Sequence, residues 1–303
     1  MKPTLHKIVV FGIGLIGGSF AMALRKANAV GEVIGFGRSE TTLKQALELG
    51  IIDRIGTDVA AEVCDADLVL LAAPVGQMAE LMARIAPHLG PDTLVTDGGS
   101  TKSGVVSDAY THLGDKIAQY VPAHPIAGGE QSGAAAARPN LYTGKKVVLT
   151  PLPENAPNSV TKVTKAWEAC GATVSELTPE LHDEVFAAVS HLPHLLSYAL
   201  VSDLAQRDNR DLYMSFAASG FGDFTRIAAS SPEMWRDICM ANREALLNEL
   251  KQYMEELSQM SRDLEAGDAS QLEKTFRAAQ ELRTGWAGQG NSSEKSGSSE
   301  KGS

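Results

Sequence analysis

Cysteine is scarce in this sequence. Cys64, Cys170 and Cys239 are odd in number, far apart and in no CxxC spacing, which argues against a disulfide framework and a zinc cluster. Thiols used this sparingly fit a reducing cytoplasm, the expected location. Runs of basic residues are also missing: 27 Lys and Arg stand against 37 Asp and Glu, a formal charge of −10. Nucleic acid and anionic membrane surfaces are therefore not expected partners. No run of apolar residues reaches the eighteen or so needed to span a membrane, and "MKPTLHKIVVFG" enters a strand without a signal-peptide core. What the chain does have is 44% apolar and 21% charged residues over 303 positions, enough to bury a real core and to make two domains. An anion bound by so acidic a chain must be gripped by a few placed groups.

Short β-branched runs alternate with helical patterns over residues 1–178. The runs are "KIVVFG" (7–12), "EVIGFG" (32–37), "DLVLLAAP" (67–74), "TLVTDGG" (93–99), "QYVPAHP" (119–125), "KKVVLTP" (145–151) and "TVSELT" (173–178). Several are apolar nearly throughout, as strands covered on both faces should be, so the expected fold is α/β, a doubly wound Rossmann-type sheet. Beyond Thr178 and Pro179 the strand signal stops and apolar spacings of three and four predict an all-helical domain over 179–287, broken or kinked at Pro193. Its apolar face, including Leu246, Leu250, Met254 and Leu257, would suit a homodimer as well as a monomeric bundle. The Gly/Ser-rich stretch 288–303 is expected to be disordered.

"VVFGIGLIGGSF" carries GxGxxG at Gly12, Gly14 and Gly17, after a strand and opening a helix. This is the fingerprint of a dinucleotide site: a tight turn at Gly12, backbone approach to a pyrophosphate at Gly14, close helix–strand packing at Gly17. Leu15, Ile16, Ala73 and Pro74 complete the expected loops around the cofactor. An NAD-binding fold usually closes its second strand with an acid, but "GFGRSE" has Gly37 there, followed by Arg38 and Ser39. Those two can bind a 2′-phosphate, which favours NADP. The alternative is that Arg38 is solvated loop and Glu40 supplies the acid one turn late, which keeps NAD open.

Of seven histidines, His124 stands out because it ends the fifth apolar run and precedes "AGGEQSG", where a substrate could approach backbone. His191 and His194 form an HxxH pair, but no third ligand is evident and Pro193 disturbs the spacing, so no metal is expected.

Together "GIGLIGGS", "DGGSTKSGV", "HPIAGGEQSG", "NLYTGKKVVLTP", "HDEVFAAVSHLPHLLSYAL" and "GFGDFTRIAASSPEMW" resemble the prephenate/arogenate (cyclohexadienyl) dehydrogenases of tyrosine biosynthesis, over about residues 7 to 285. The resemblance implies an NAD(P)-dependent oxidoreductase: a cyclohexadienol gives hydride to the nicotinamide and loses carbon dioxide, making a phenol. It implies a single-function enzyme. It implies His124 as the base meeting the 4-hydroxyl, with a pKa near neutrality, and Ser100 as a hydroxyl partner of both. By itself Ser100 could equally cap the helix that follows. The resemblance further implies Arg226 on a substrate carboxylate, His194 with Ser190 and His191 around the substrate side chain, Glu130 over the entrance, and Trp235 reaching the site from a partner subunit. Gly128 and Gly129 stand where the family often has a hydroxyl residue before the acid, which leaves prephenate versus arogenate open. Two other readings remain: another two-domain Rossmann reductase, or a non-catalytic NADP sensor.

Overall fold

The computed structural model describes residues 3–129, 131 and 133–295, with side chains to 286. The chain begins with β1 (Leu5–Phe11), α1 (Leu15–Lys26), β2 (Val30–Phe36), α2 (Glu40–Glu48), β3 (Arg54–Ile55), α3 (Val59–Val63), β4 (Leu68–Leu71), α4 (Met78–Ile85) and β5 (Leu94–Asp97). These five strands form one parallel sheet in the order β3-β2-β1-β4-β5. Alternate side chains of β1 serve opposite faces: Ile8 and Val10 pack with Phe20 and Leu24 of α1, Val9 and Phe11 with Met78 and Met82 of α4. That double burial is why the strands read as unbroken apolar runs. The order reverses between β1 and β4, and the crevice beyond their carboxyl ends is where such folds take a ligand.

Next come α5 (Ser103–Leu113), β6 (Ala123–Pro125), β7 (Lys146–Leu149), α6 (Pro157–Ala169) and β8 (Thr173–Glu176). Here the topology departs from expectation. The run 119–125 does not add a further parallel strand to the first sheet. It touches β5 by one parallel bridge, Val95 to Tyr120, and then turns into a separate sheet of order β6-β7-β8, with β6 antiparallel to β7. The reason is local: Pro122 and Pro125 have no N–H to offer a continuing ladder. The two-residue β3 was not visible in the sequence, being too short to show a period.

Helices follow: α7 (Pro179–Phe186), α8 (Leu192–Ala205), α9 (Arg210–Ser215), α10 (Ser219–Thr225), α11 (Pro232–Ala241), α12 (Arg243–Ala266) and α13 (Ala269–Lys295). The Thr178 hydroxyl accepts from the Leu181 amide (3.2 Å) and so caps α7 where strands give way to helices. The chain nonetheless divides into units 1–246 and 247–303. Helices α7 to α11 thus share a unit with the sheets, because α7 is anchored there by Asp183, which accepts from the amides of Lys102 (2.7 Å) and Ser103 (2.8 Å).

Pro193 marks a break, as its sequence position suggests: α7 and α8 are joined by a π-helical turn, Ala187–His191, rather than by regular α-helix. The run Pro179–Ala205, an 18-residue window of which has a mean hydropathy of 1.4, passes by length and composition for a membrane span, although no unbroken apolar run is that long. It carries His182 and Asp183, both buried within the first unit, and its apolar residues Phe186, Ala187 and Leu192 are core. In the second unit α13 continues as helix through Lys295, into the stretch expected to be disordered, since each added residue gains a hydrogen bond on an existing helix. Residues 296–303 of that stretch lie outside the described residues.

Candidate active site

The glycine loop forms a cleft by close backbone contact. Gly12 has φ +97°, and a Cβ there would lie 2.4 Å from the Ala72 carbonyl oxygen; a Cβ at Gly17 would lie 2.2 Å from the Gly12 oxygen. Side chains at either position would push α1 away from the sheet. Gly14, the N-cap of α1, has no side-chain cap, and a Cβ there would meet nothing within 4 Å. The first amides of α1 therefore open onto a cleft of about 480 Å³ lined by Gly12, Gly14, Arg38, Ser39, Ala73 and Pro74. An open helix N-terminus in a groove of this kind fits the pyrophosphate of a dinucleotide.

Two expected members of this set lie elsewhere. Leu15 lines a second pocket, and Ile16 uses its carbonyl to accept from the Tyr142 hydroxyl (2.6 Å), which ties the start of α1 to the second sheet. Successive residues of a helix face different ways, so a motif's neighbours need not share its role. Ser39 caps α2, its oxygen accepting from the Thr42 amide (3.2 Å) and hydroxyl (3.0 Å), and keeps its own O–H to donate. Arg84 from α4 also lines the cleft, its guanidinium 6.0 Å from the Phe36 ring centroid. No local signal in the sequence marks it. A Cβ on Gly37 would come no nearer than 3.5 Å to Leu43, so an acid there would fit.

The second pocket, of about 800 Å³, is lined by His124, Arg138, Ser190, His194, Arg226 and Trp235, among others. Its fixed point is β6. Asp97, fully buried at the end of β5, accepts from the Tyr120 hydroxyl (2.8 Å), the Ala123 amide (2.9 Å), the Gly99 amide (2.8 Å) and the ammonium of Lys102. Lys102, equally buried, also donates to the Ala123 carbonyl (2.8 Å). Both backbone groups of the residue before His124 are thus held by one buried ion pair whose carboxylate has four donors.

His124 Nδ1 lies 2.8 Å from His182 Nε2, and His182 Nδ1 lies 2.8 Å from Asp183 Oδ1. Phe186 packs on both rings, at centroid distances of 4.9 and 4.5 Å. Desolvation drives the pKa of His124 well below the usual histidine value, and His182, Lys102 and His191 push the same way. The ring is therefore neutral at pH 7 by a wider margin than the near-neutral value expected from sequence. Burial also lowers His182, against the opposing pull of Asp183. In Asp183 burial works upward but is outweighed by hydrogen bonds from His182 and the Lys102 and Ser103 amides, so its carboxyl stays below the usual range. Sequence reading gave His182, Asp183, Asp97, Lys102 and Arg138 no role.

His194 stacks on Trp235, centroids 3.5 Å apart and planes 19° from parallel, and its Nδ1 donates to the Ser190 carbonyl (2.9 Å). Trp235 thus meets the pocket in its own chain, not from a partner subunit as expected. Its helix α11 packs on the turn Val75–Gln77 after β4, which brings it to the site. His191 is buried behind the pocket; desolvation lowers its pKa to about 4, and Nδ1 lies 3.0 Å from Asn242 Nδ2. Arg226, exposed, begins a short 3₁₀ turn at the rim. Ser100 lies half-buried in the loop between β5 and α5, and among the described residues no hydrogen bond joins its hydroxyl to His124. Nor does it cap α5, whose first amides are taken by Asp183. Glu130 lies outside the described residues. No group of three or more His, Cys, Asp or Glu that could hold a metal occurs among the described residues.

Comparison with known proteins accounts for nearly the whole chain. Residues 20–176 match the model of the prephenate dehydrogenase nucleotide-binding domain, and residues 178–278 that of the prephenate dehydrogenase dimerization domain. Prephenate dehydrogenase of Bacillus subtilis is 36% identical over 94% of this chain and 76% of its own length. Cyclohexadienyl dehydrogenase of Zymomonas mobilis is 33% identical over 91% of this chain and 94% of its own. Among solved structures, prephenate dehydrogenase of Aquifex aeolicus in complex with hydroxyphenyl propionate and NAD+ superposes with a TM-score of 0.86 at 35% identity, covering 92% of this chain and 97% of that one. With a Rossmann-type sheet, a following helical domain and matches over more than nine-tenths of its length, 94% and 92% for the first relative and structure named, the chain belongs to the prephenate dehydrogenase family of nicotinamide-dependent oxidoreductases.

Proposed function

We propose that this protein oxidatively decarboxylates prephenate, or its amino counterpart arogenate, with His124 as the base at the ring hydroxyl. The observation that carries the reading is His124 itself: a neutral imidazole held at the wall of the larger pocket, with Arg226 and Arg138 on the same lining. A dianionic substrate needs cations, and in a chain of charge −10 these two arginines supply them locally. Arg226 binds one carboxylate; His194, braced by Trp235 and with Ser190 and His191 behind it, faces the substrate side chain. Ser100 and Glu130 complete the set, as hydroxyl partner and entrance acid. The nicotinamide, when bound in the first cleft, supplies the hydride acceptor.

The reaction as a whole neither releases nor consumes a proton, so the proton His124 takes from the 4-hydroxyl must return to the phenol oxygen once carbon dioxide has left. A histidine whose cation is disfavoured by burial suits this brief loan better than a permanently charged acid. Arg38 and Ser39, with Arg84 on the same cleft, favour NADP over NAD through the 2′-phosphate. The complex of the Aquifex aeolicus relative with NAD+ keeps NAD as the second reading. Exposed Met254, Leu257, Leu264 and Phe276, within the stretch matched by the dimerization model, support a homodimer through the helical part. Free thiols at all three cysteines suit the cytoplasm. Steady-state assays with both substrates and both nucleotides test the whole reading: turnover with at least one of the four pairs and a tenfold or larger preference for NADP are expected, while absence of turnover with all four would overturn it.

A further inference from the structure

The hydrogen-bond chain behind His124 fixes where its proton sits. Asp183 accepts the Lys102 amide on one oxygen and the Ser103 amide on the other, and with the hydrogen bond from His182 these hold its carboxyl below the usual range, so a carboxylate stands there. His182 Nδ1, 2.8 Å from Asp183 Oδ1, must then carry a hydrogen. A neutral His182 has no second ring hydrogen, so its Nε2 is an acceptor. Among the described residues the donor that reaches it is His124 Nδ1–H, 2.8 Å away. That leaves His124 Nε2 without a hydrogen, its lone pair turned from the chain of contacts that occupies Nδ1. We infer that His182 and Asp183 are positioning residues that hold His124 in the Nδ1–H tautomer and so present Nε2 as the acceptor for the substrate hydroxyl proton.

The two links behind His124 are buried, whereas His124 itself is half-buried at the pocket wall. His182 and Asp183 are 0% and 4% exposed, and Phe186 closes on both imidazoles. The orientation comes from outside as well: the Asn242 side chain donates to the Asp183 carbonyl (2.7 Å), clamping α7 from the end of α11. The arrangement also answers an electrostatic difficulty. His124 is faced by Lys102 from the loop after β5, by His191 from the π-turn and by His182 from α7, all of which oppose a cation on it. When Nε2 accepts a proton, the Nδ1–H bond to His182 lets the new charge be shared toward Asp183, the nearest carboxylate in the chain, with Asp97 further back facing His182. The ring nitrogens are thus assigned by the donor inventory of their partners.

The inference rests on His124 being the base, and the test separates the two. In the full-length protein with ¹⁵N-labelled histidine, His124 and His182 should each show a protonated Nδ1 and an unprotonated Nε2 in the absence of ligands. A wild-type His124 protonated at Nε2 would overturn the inference. His182→Leu removes the acceptor and should lower kcat on the order of 10²-fold while KM for substrate and nucleotide moves less than about threefold. His182→Gln, whose side-chain carbonyl can accept from Nδ1–H, should regain most of that loss and keep the His124 tautomer. Wild-type kcat in His182→Leu would also overturn the inference; if that variant does not fold, the ¹⁵N pattern of the wild type and of His182→Gln decides. Inactive His124→Asn beside fully active His182→Leu would sink only the tautomer, whereas active His124→Asn would sink the base.

Discussion

The two pockets are built in opposite ways. The glycine-loop cleft rests largely on backbone: a left-handed glycine, an uncapped helix N-terminus and a short loop after β2, completed by Thr42, Leu43, Gly56, Thr57, the residues after β4 and Arg84. The second pocket is made of side chains brought from far apart: His124 of β6, backed by His182 and Asp183 of α7, with Trp235 of α11 and Arg226 at the rim, while the Asp97–Lys102 pair holds the residue before His124. The first binds by what is missing, the second by what is placed. Substitutions should therefore act differently in the two: adding a group changes choice in the cleft, removing one destroys rate in the pocket.

The sharpest break in that comparison is His124→Asn. It should lower kcat by roughly two to four powers of ten with nucleotide affinity unchanged, measured by steady-state kinetics beside nucleotide titration. Arg226→Ala should come next, raising the substrate KM at least tenfold and the nucleotide KM hardly at all, with Arg226→Lys milder because it lacks the planar fork. In the cleft, Arg38→Ala should cost NADP about 1.5–3 kcal/mol and leave NAD nearly untouched. Gly37→Asp, for which there is space beside Leu43, should turn the preference toward NAD. Equal effects on both nucleotides would make Arg38 a solvated loop residue.

Acid dependence sharpens the same contrast. Because burial lowers His124, its neutral form persists below the ordinary histidine value of about 6.5, and kcat/KM should hold through pH 6.5 and fall only at more acid pH. An acid limb above 7 would contradict the buried, tautomer-fixed base. The smallest effect lies away from both pockets. Glu62, hydrogen-bonded by Arg54 and paired with Lys7, has its pKa lowered to about 2, so it contributes stability above about pH 4.5 that is lost as the pH falls toward 2. Glu62→Gln should cost about 1 kcal/mol near pH 7 by urea unfolding, since Arg54 is half exposed and screened.

Legibility in the sequence follows the same division. The glycine turn, the helix it opens and the parallel strands are local patterns, and GxGxxG, period and burial announce them within a dozen residues. The motif "HPIAGGEQSG" pointed to His124, yet its strand was assigned to the wrong sheet because the prolines at 122 and 125 act through missing hydrogen bonds that only the partner strand reveals. His182 and Asp183 sit side by side in "LHDEV", which reads as an ordinary amphipathic helix. Their part depends on meeting β6 and the start of α5, 58 and about 80 residues away. Trp235 was attributed to a partner subunit, although its own helix returns it to the pocket through the turn after β4. Nonlocal contacts of this sort leave no periodic trace in one sequence.

The most direct test of the account is the ratio of carbon dioxide released to nicotinamide reduced, with prephenate and with arogenate as substrates of the full-length protein. A dehydrogenase that aromatises its ring by losing the carboxylate gives one carbon dioxide for each nicotinamide reduced with at least one of the two, and His124→Asn slows both together, by the same roughly two to four powers of ten. Reduction without carbon dioxide, or a wild type that reduces no nicotinamide with either substrate, would contradict it.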